Sequence, residues 1–155
     1  MNALKTAAAA CVAAFALFAT PAFAGECPAG QTATNVLADA PTMPTHVTDD
    51  VIASINLGDG YNIPGRELRM RRLVVQPGGV VPLHAHNERP ANIYVVSGEI
   101  TEYRTTCAVG VNHRAGDVVA EQGEVSHWWR NNTRRTAVLI SADIPPPAGN
   151  AQGGM

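Results

Sequence analysis

From Val47 to Ile144 the chain is a succession of short runs rich in Val, Ile, Leu and Thr. Glycine or proline closes many of them, and no 3.6-residue apolar period persists. VTDDVIASINLG stops at Gly58-Asp59-Gly60. ELRMRRLVVQPGG, VVPLHAHN, ANIYVVSG, EITEYRTTCAVG, DVVAEQ, SHWWRN and TAVLISADI follow in that order. Short alternating runs with turn residues between them predict half-buried strands, and a chain of such strands without helices predicts an all-β sandwich or barrel. Tyr61 to Arg66 and Asn112 to Asp117 read as turns. Between them, Leu68 and Met70 alternate with Arg69 and Arg71 until the pair Arg71-Arg72 breaks the register. The arginines are either a solvated strand face or the mark of a bulge, with one of them, Arg69 or Arg72, turned inward.

The ends of the chain are different. MNALKTAAAACVAAFALFATPAFA has one lysine before an apolar run that closes on Ala22-Phe23-Ala24. This is the layout of a secretory signal peptide over residues 1–24, too short in its apolar part for a membrane span. It predicts export to a bacterial periplasm, with no membrane association after cleavage. Residues 25–46 carry Pro28, Gly30, Pro41 and Pro44 and read as an irregular arm, residues 47–144 as the barrel, and PPPAGNAQGGM (145–155) as a disordered tail. Removing the signal removes Cys11 and leaves Cys27 and Cys107 in an oxidising compartment. They either bridge, tying the arm to the barrel across a loop of about 80 residues, or remain two thiols with Cys107 buried. The net charge of −2 gives no electrostatic reason to expect nucleic acid or a membrane surface as a partner.

Chemistry concentrates in GGVVPLHAHNERPANIYVVSG, Gly78 to Gly98. His84 and His86 stand at i and i+2, so on a strand both imidazoles project from one face. His127, Trp129 and Asn131 likewise share a face of a later strand. Three imidazoles drawn from two strands suit a transition ion, with iron first and manganese, nickel, copper and zinc compatible, rather than Mg or Ca. Glu88 lies two residues after His86. It is a possible fourth ligand if the strand continues, but Asn87-Glu88-Arg89-Pro90 reads as a turn with a rim ion pair to Arg89. His46 in the arm and His113 in a turn are expected at the surface. Trp128 is expected in the core or a subunit seam, and Tyr94 and Tyr103 against a neighbouring sheet or subunit.

This stretch resembles the first motif of the cupin family: glycine, five residues, His-x-His, three or four residues, glutamate, six residues, glycine. Gly78, His84, His86 and Gly98 match, while Ala91 occupies the glutamate position. The second cupin motif is matched by Gly116, His127 and Asn131, with Gln122 and Glu124 in place of its proline and glycine. The resemblance covers about Val47 to Ile144. It implies a jelly-roll (double-stranded β-helix) barrel, a metal held by His84, His86 and His127, and a pocket lined by Trp129, Asn131, Ile93 and Val95. With Ala91 in the carboxylate position, the ion would have three neutral ligands.

The implied activity is that of a three-histidine, metal-dependent oxidoreductase, dioxygenase-like, acting on a small organic molecule. The alternatives are a non-catalytic small-molecule or metal-binding module, or a structural barrel without metal. No catalytic acid or base stands out beyond Glu88 and an inward arginine, which would favour a carboxylate-bearing ligand. The family resemblance also implies a homodimer formed through sheet edges.

Overall fold

One strand organises the molecule. In the computed structural model, which describes residues 26–34 and 37–147, β2 runs unbroken from Glu67 to Ser97. It passes through Pro77, Pro82 and Pro90, where the sequence suggests separate strands. It does so by changing partners. Residues 67–80 pair β1 (Thr45–Asn56), residues 80–94 pair β5 (Val118–Arg130), and β6 (Ala137–Asp143) pairs both ends of β2. Leu139, for example, lies opposite Leu73 on one side and Val95 on the other. β3 (Glu99–Arg104) and β4 (Val111–Arg114) extend the sheet beyond β5, and every pairing is antiparallel. Because β2 pairs with β1, β5 and β6 in turn, the single six-stranded sheet folds round on itself into a jelly-roll barrel, as the all-β reading expects.

Motif glycines mark its corners. Gly98 has φ +80°, and a Cβ there would lie 2.6 Å from the carbonyl oxygen of Thr136, so only glycine lets the β2–β3 turn pass so close to the chain entering β6. Asn131 is committed to backbone and turn partners. It is fully buried, its Nδ2 donates to the carbonyls of Val75 and Arg135, and its Oδ1 accepts from the Thr133 N–H and hydroxyl. It clamps a corner. Val95 is also fully buried within the apolar core and does not face the cavity.

Two surface assignments change, at the arginines and at His113. Arg69 turns inward, Arg71 does so as well and is as buried as Arg89, and Arg72 faces out. Arg69, Arg71, Leu73 and Val75 alternate inward without interruption, while Leu68, Met70 and Arg72 face out. The bulge is on the partner strand, between Val51 and Ala53. His113 lies within β4 and is completely buried. Trp128 is half-buried on the outer surface, stacked on Tyr103 with ring centroids 4.2 Å apart beside a cavity of about 300 Å³ under the arm. His46 and Tyr94 are exposed, and Met43, Ile52 and Ile55 add to the apolar surface.

Cys27 and Cys107 form a disulfide with a sequence separation of 80 residues. A Thr32–Cys107 bridge and the hydrogen bonds of Ala33 to Thr106 and Ala108 to Gln31 lay the arm along the barrel beside it. Closing so long a loop removes entropy from the unfolded chain, worth about 2–4 kcal/mol. Reduction is therefore expected to lower the melting temperature by several degrees without changing the barrel's circular dichroism, a comparison made by thermal scans with and without reductant. The proposed signal peptide, residues 1–24, and residues 148–155 of the proposed tail lie outside the described residues.

Candidate metal centre

His84 and His127 are direct partners across β2 and β5, and bulges on either side of His86 bring its ring into the same space. The three ring centroids lie 4.6–4.9 Å apart. The structure adds a residue that the sequence reading does not select. Glu121 pairs directly with Ala91, and directly opposed residues project from the same face of the sheet. The carboxylate sought at Ala91 therefore comes from the neighbouring strand. One ligand atom from each of His84, His86, Glu121 and His127 lies within 4.8 Å of all the others. Glu88 is exposed and stands outside this group, so it is not the fourth member.

Each histidine is oriented by an acceptor behind it. His84 Nδ1 is 2.8 Å from the Pro82 carbonyl, His86 Nδ1 is 2.8 Å from the Arg89 carbonyl, and His127 Nδ1 is 2.5 Å from Glu102 Oε1. Oxygens of this kind only accept, so each Nδ1 carries the hydrogen and each Nε2 is left with a lone pair. These lone pairs face one another: His84 and His127 Nε2 are 3.2 Å apart, and His86 Nε2 is 3.1 Å from Glu121 Oε2. His86 Nε2 and Glu121 Oε1 are buried without a hydrogen-bond partner. Four acceptors converge and the three imidazoles supply no donor to the centre. This arrangement fits a cation.

The electrostatics agree. Burial, helped by mutual repulsion with His127, pushes His84 down to about 2 and His86 down to about 4, so both are neutral ligands at ordinary pH. Burial pushes the Glu121 carboxyl up to about 7 despite the nearby His127 and arginines. In Glu102 burial acts in the same upward direction, but hydrogen bonds from His113 and His127 and the Arg104 charge reverse it and hold the carboxyl well below the usual range. Glu102 is fully buried. It accepts from His127 on one oxygen, from His113 Nε2 at 3.0 Å on the other, and from Arg104 on both. An outer-shell carboxylate of this kind fixes a ligand's tautomer and raises its basicity.

Adjoining the cluster is a cavity of about 20 Å³ lined by residues that include His84, Glu121, Trp129 and Ile93. Trp129, only 3% exposed, stands between His113 and His127. Asp49 and Arg71 form the far wall. The two are ion-paired, and Arg71 Nε is 3.4 Å from Asp143, which Arg69 grips with two hydrogen bonds of 3.0 and 2.9 Å. Burial raises the Asp49 carboxyl against the opposing pull of Arg71, Arg69 and Arg89.

Comparison with known proteins agrees with this architecture. The Cupin domain family matches residues 71–143, which span both histidine-bearing segments. Among solved structures, the Schizosaccharomyces pombe Cnp3 cupin domain superposes with a TM-score of 0.52 at 9% identity over 64% of this chain. The match covers 64% of that chain, less than two thirds of its length. TT1209 from Thermus thermophilus gives 0.51 at 15% identity over 64% of this chain and 83% of that one. A Cupin 2 conserved barrel domain protein from Salinispora arenicola CNS-205 gives 0.49 at 17% identity, over 63% and 74%. At such identities the likeness speaks for the fold alone. No curated protein matches. The Cupin domain match over residues 71–143, on the barrel described above, makes this part of the chain a cupin domain.

Proposed function

We propose that His84, His86, Glu121 and His127 hold one divalent transition ion, and that the chain is a metal-dependent oxidoreductase acting on a small organic molecule in the bacterial periplasm. The observation that carries this reading is the commitment of all three Nδ1 atoms to acceptors, which turns three lone pairs and a carboxylate toward one point. Three imidazoles and one carboxylate suit iron, manganese, nickel, copper or zinc. A bound ion supplies Lewis-acid polarisation and, for a redox-active metal, one-electron chemistry. The chain's own part is to hold each imidazole in one tautomer, to lower the charge at the centre through Glu121, and to restrict water with Trp129 and Ile93. The Cys27–Cys107 bridge supports an oxidising compartment.

The test is metal content by mass spectrometry on protein purified without chelator or affinity metal, for the natural chain and for His84→Ala and His127→Ala. Close to one equivalent, lost in both variants, supports the site; metal retained in both removes it. Dioxygen uptake by the loaded protein across small organic molecules then separates turnover from a binding module, a second reading favoured by the small cavity.

The raised Glu121 carboxyl makes metal uptake pH-dependent, with a definite sign. Below about 7 the apoprotein carries a proton on Glu121 that an ion must expel, whereas His84 and His86 are already neutral. Affinity is expected to fall as the pH drops, by about tenfold per unit from this one proton, and to be independent of Glu121 above about pH 8. Zinc titration calorimetry in buffers of different ionisation enthalpy at about pH 6 and about pH 8.5 reads this proton directly, and Glu121→Gln should remove it.

A further inference from the structure

The cross-strand register defines one outer face of the barrel, because directly opposed residues project from the same side of a sheet. One row crosses β1, β2, β6, the return of β2 and β5 as Asp50, Arg72, Ile140, Tyr94 and Val118. The next row is Ala53, Met70, Ala142, Asn92 and Ala120, and Ile55 opposite Leu68 extends it. Ile55, Leu68, Met70, Tyr94 and Val118 are each 41–53% exposed. Asp50 and Arg72, 3.9 Å apart, are the charged pair in these rows. The outer side of β3 and β4 differs: there Asn112 and the Glu99–Arg114 ion pair face solvent. From Leu68 to Val74, where Val138 is opposite, the apolar face measures roughly 24 Å by 20 Å, about 480 Å² in plan. That exceeds half of the ~800 Å² that one partner of a stable dimer contributes, and stands near the top of the ~300–600 Å² patch that a monomer exposes.

We propose that a second copy of this chain covers this face, in a two-fold dimer packed sheet face on sheet face, where the family resemblance implies pairing through strand edges. The proposal is independent of the metal centre, none of whose residues belongs to these rows. β6 is the middle strand of the face, and Ile140 has Arg72 on one side and Tyr94 on the other. A two-fold axis along β6 therefore sets Ile140 against its own copy, and Arg72 of each copy over the Tyr94 ring of the other. The face thus complements itself, with two cation–π contacts flanking an apolar centre and Asp50 at the rim. Arg72 is available for this: its side chain is 53% exposed, and an exposed ion pair at 3.9 Å holds it weakly. Other occupants fit less well. Residues 148–155 bring one large apolar side chain, Met155, and Arg72, already beside Asp50, is the one cation in these rows to attract anionic lipid.

The test is sedimentation velocity from about 1 to about 100 μM, on the chain as purified for metal analysis. The natural chain should run as a dimer. Tyr94→Arg sets cation against cation twice over and should weaken the dimer by at least ~100-fold. Adding Arg72→Glu to Tyr94→Arg replaces each clash by an ion pair and should restore the dimer. Met70→Glu, on the same face, should weaken association as well, and thermal scans by circular dichroism confirm that each variant is folded. A natural chain that stays monomeric at about 100 μM would overturn the proposal, and binding of that monomer to phosphatidylcholine vesicles would assign the face to lipid. A dimer unchanged in Tyr94→Arg and Met70→Glu would place the interface elsewhere and overturn it too. Failure of the double variant to recover would remove the two-fold axis along β6.

Discussion

Replacing Glu121 by alanine is expected to weaken metal binding by at least ~100-fold, more than the loss of an outer-shell partner costs, while the barrel still folds. The same substitution combined with Ala91→Glu should recover most of the affinity. Ala91 and Glu121 are direct cross-strand partners, so their Cβ atoms are about 5 Å apart on one face. A glutamate reaching in from β2 therefore approaches the same three imidazoles. The swap exchanges alanine for glutamate on each side of the pair, so total volume in this buried region is conserved. Metal content of the two variants decides the matter. Full occupancy in Glu121→Ala would show that the carboxylate is no ligand, and failure of the double variant would show that strand of origin matters beyond placement.

Glu102 should give the largest loss of stability. Its two oxygens receive hydrogen bonds from His127, His113 and Arg104, and it is completely enclosed. Alanine there strands those donors and leaves a buried positive charge without its partner, which costs about 3–5 kcal/mol. For a domain of this size the melting temperature should fall by about 10 °C. Glutamine keeps the shape and one acceptor but adds a donor where acceptors are needed, so it should be milder in stability. Its effect should appear in metal affinity, reduced by about 10–100-fold, because His127 loses its charged support. Thermal scans with competitive chelator titrations separate the two effects. A Gln variant with unchanged affinity would reduce Glu102 to a purely structural residue.

What is legible in the sequence follows from what linear spacing encodes. His84 and His86 share a face because they are two apart on a strand, and Trp129 shares His127's face for the same reason. Glu121 obeys this rule too, six residues before His127, but the polar stretch Gln122-Gly123-Glu124 looks like a break between two strands. It is instead an irregular part of β5, with Gly123 at φ +71° opposite His86. The relation between Glu121 and Ala91 exists only once β2 and β5 have paired. His113 is hidden for a similar reason: Asn112-His113-Arg114 looks like a solvated turn until Glu102, eleven residues earlier, is placed against it by the β3–β4 pairing. Arg71 escapes a linear reading because apolar Leu68 and Met70 suggest the opposite inward phase for the strand. At that end the barrel interior is polar, with Asp49 and Asp143 supplying the charges that draw arginines in.

The position of β6 between the two ends of β2 has a consequence for how the molecule assembles. β6, the last strand among the described residues, fills a slot whose two walls belong to one continuous earlier strand, so Leu73 and Val95 meet the same Leu139 from opposite sides. Until residues 137–143 arrive, both walls present open backbone edges, and the apolar interior between them lacks its central strand. Such long-range closure is slow, and the unfinished form exposes edges that pair readily with other chains. A chain stopped just before Ala137 would keep every proposed metal ligand and still lack a closed barrel around them, so completion of the barrel waits on β6.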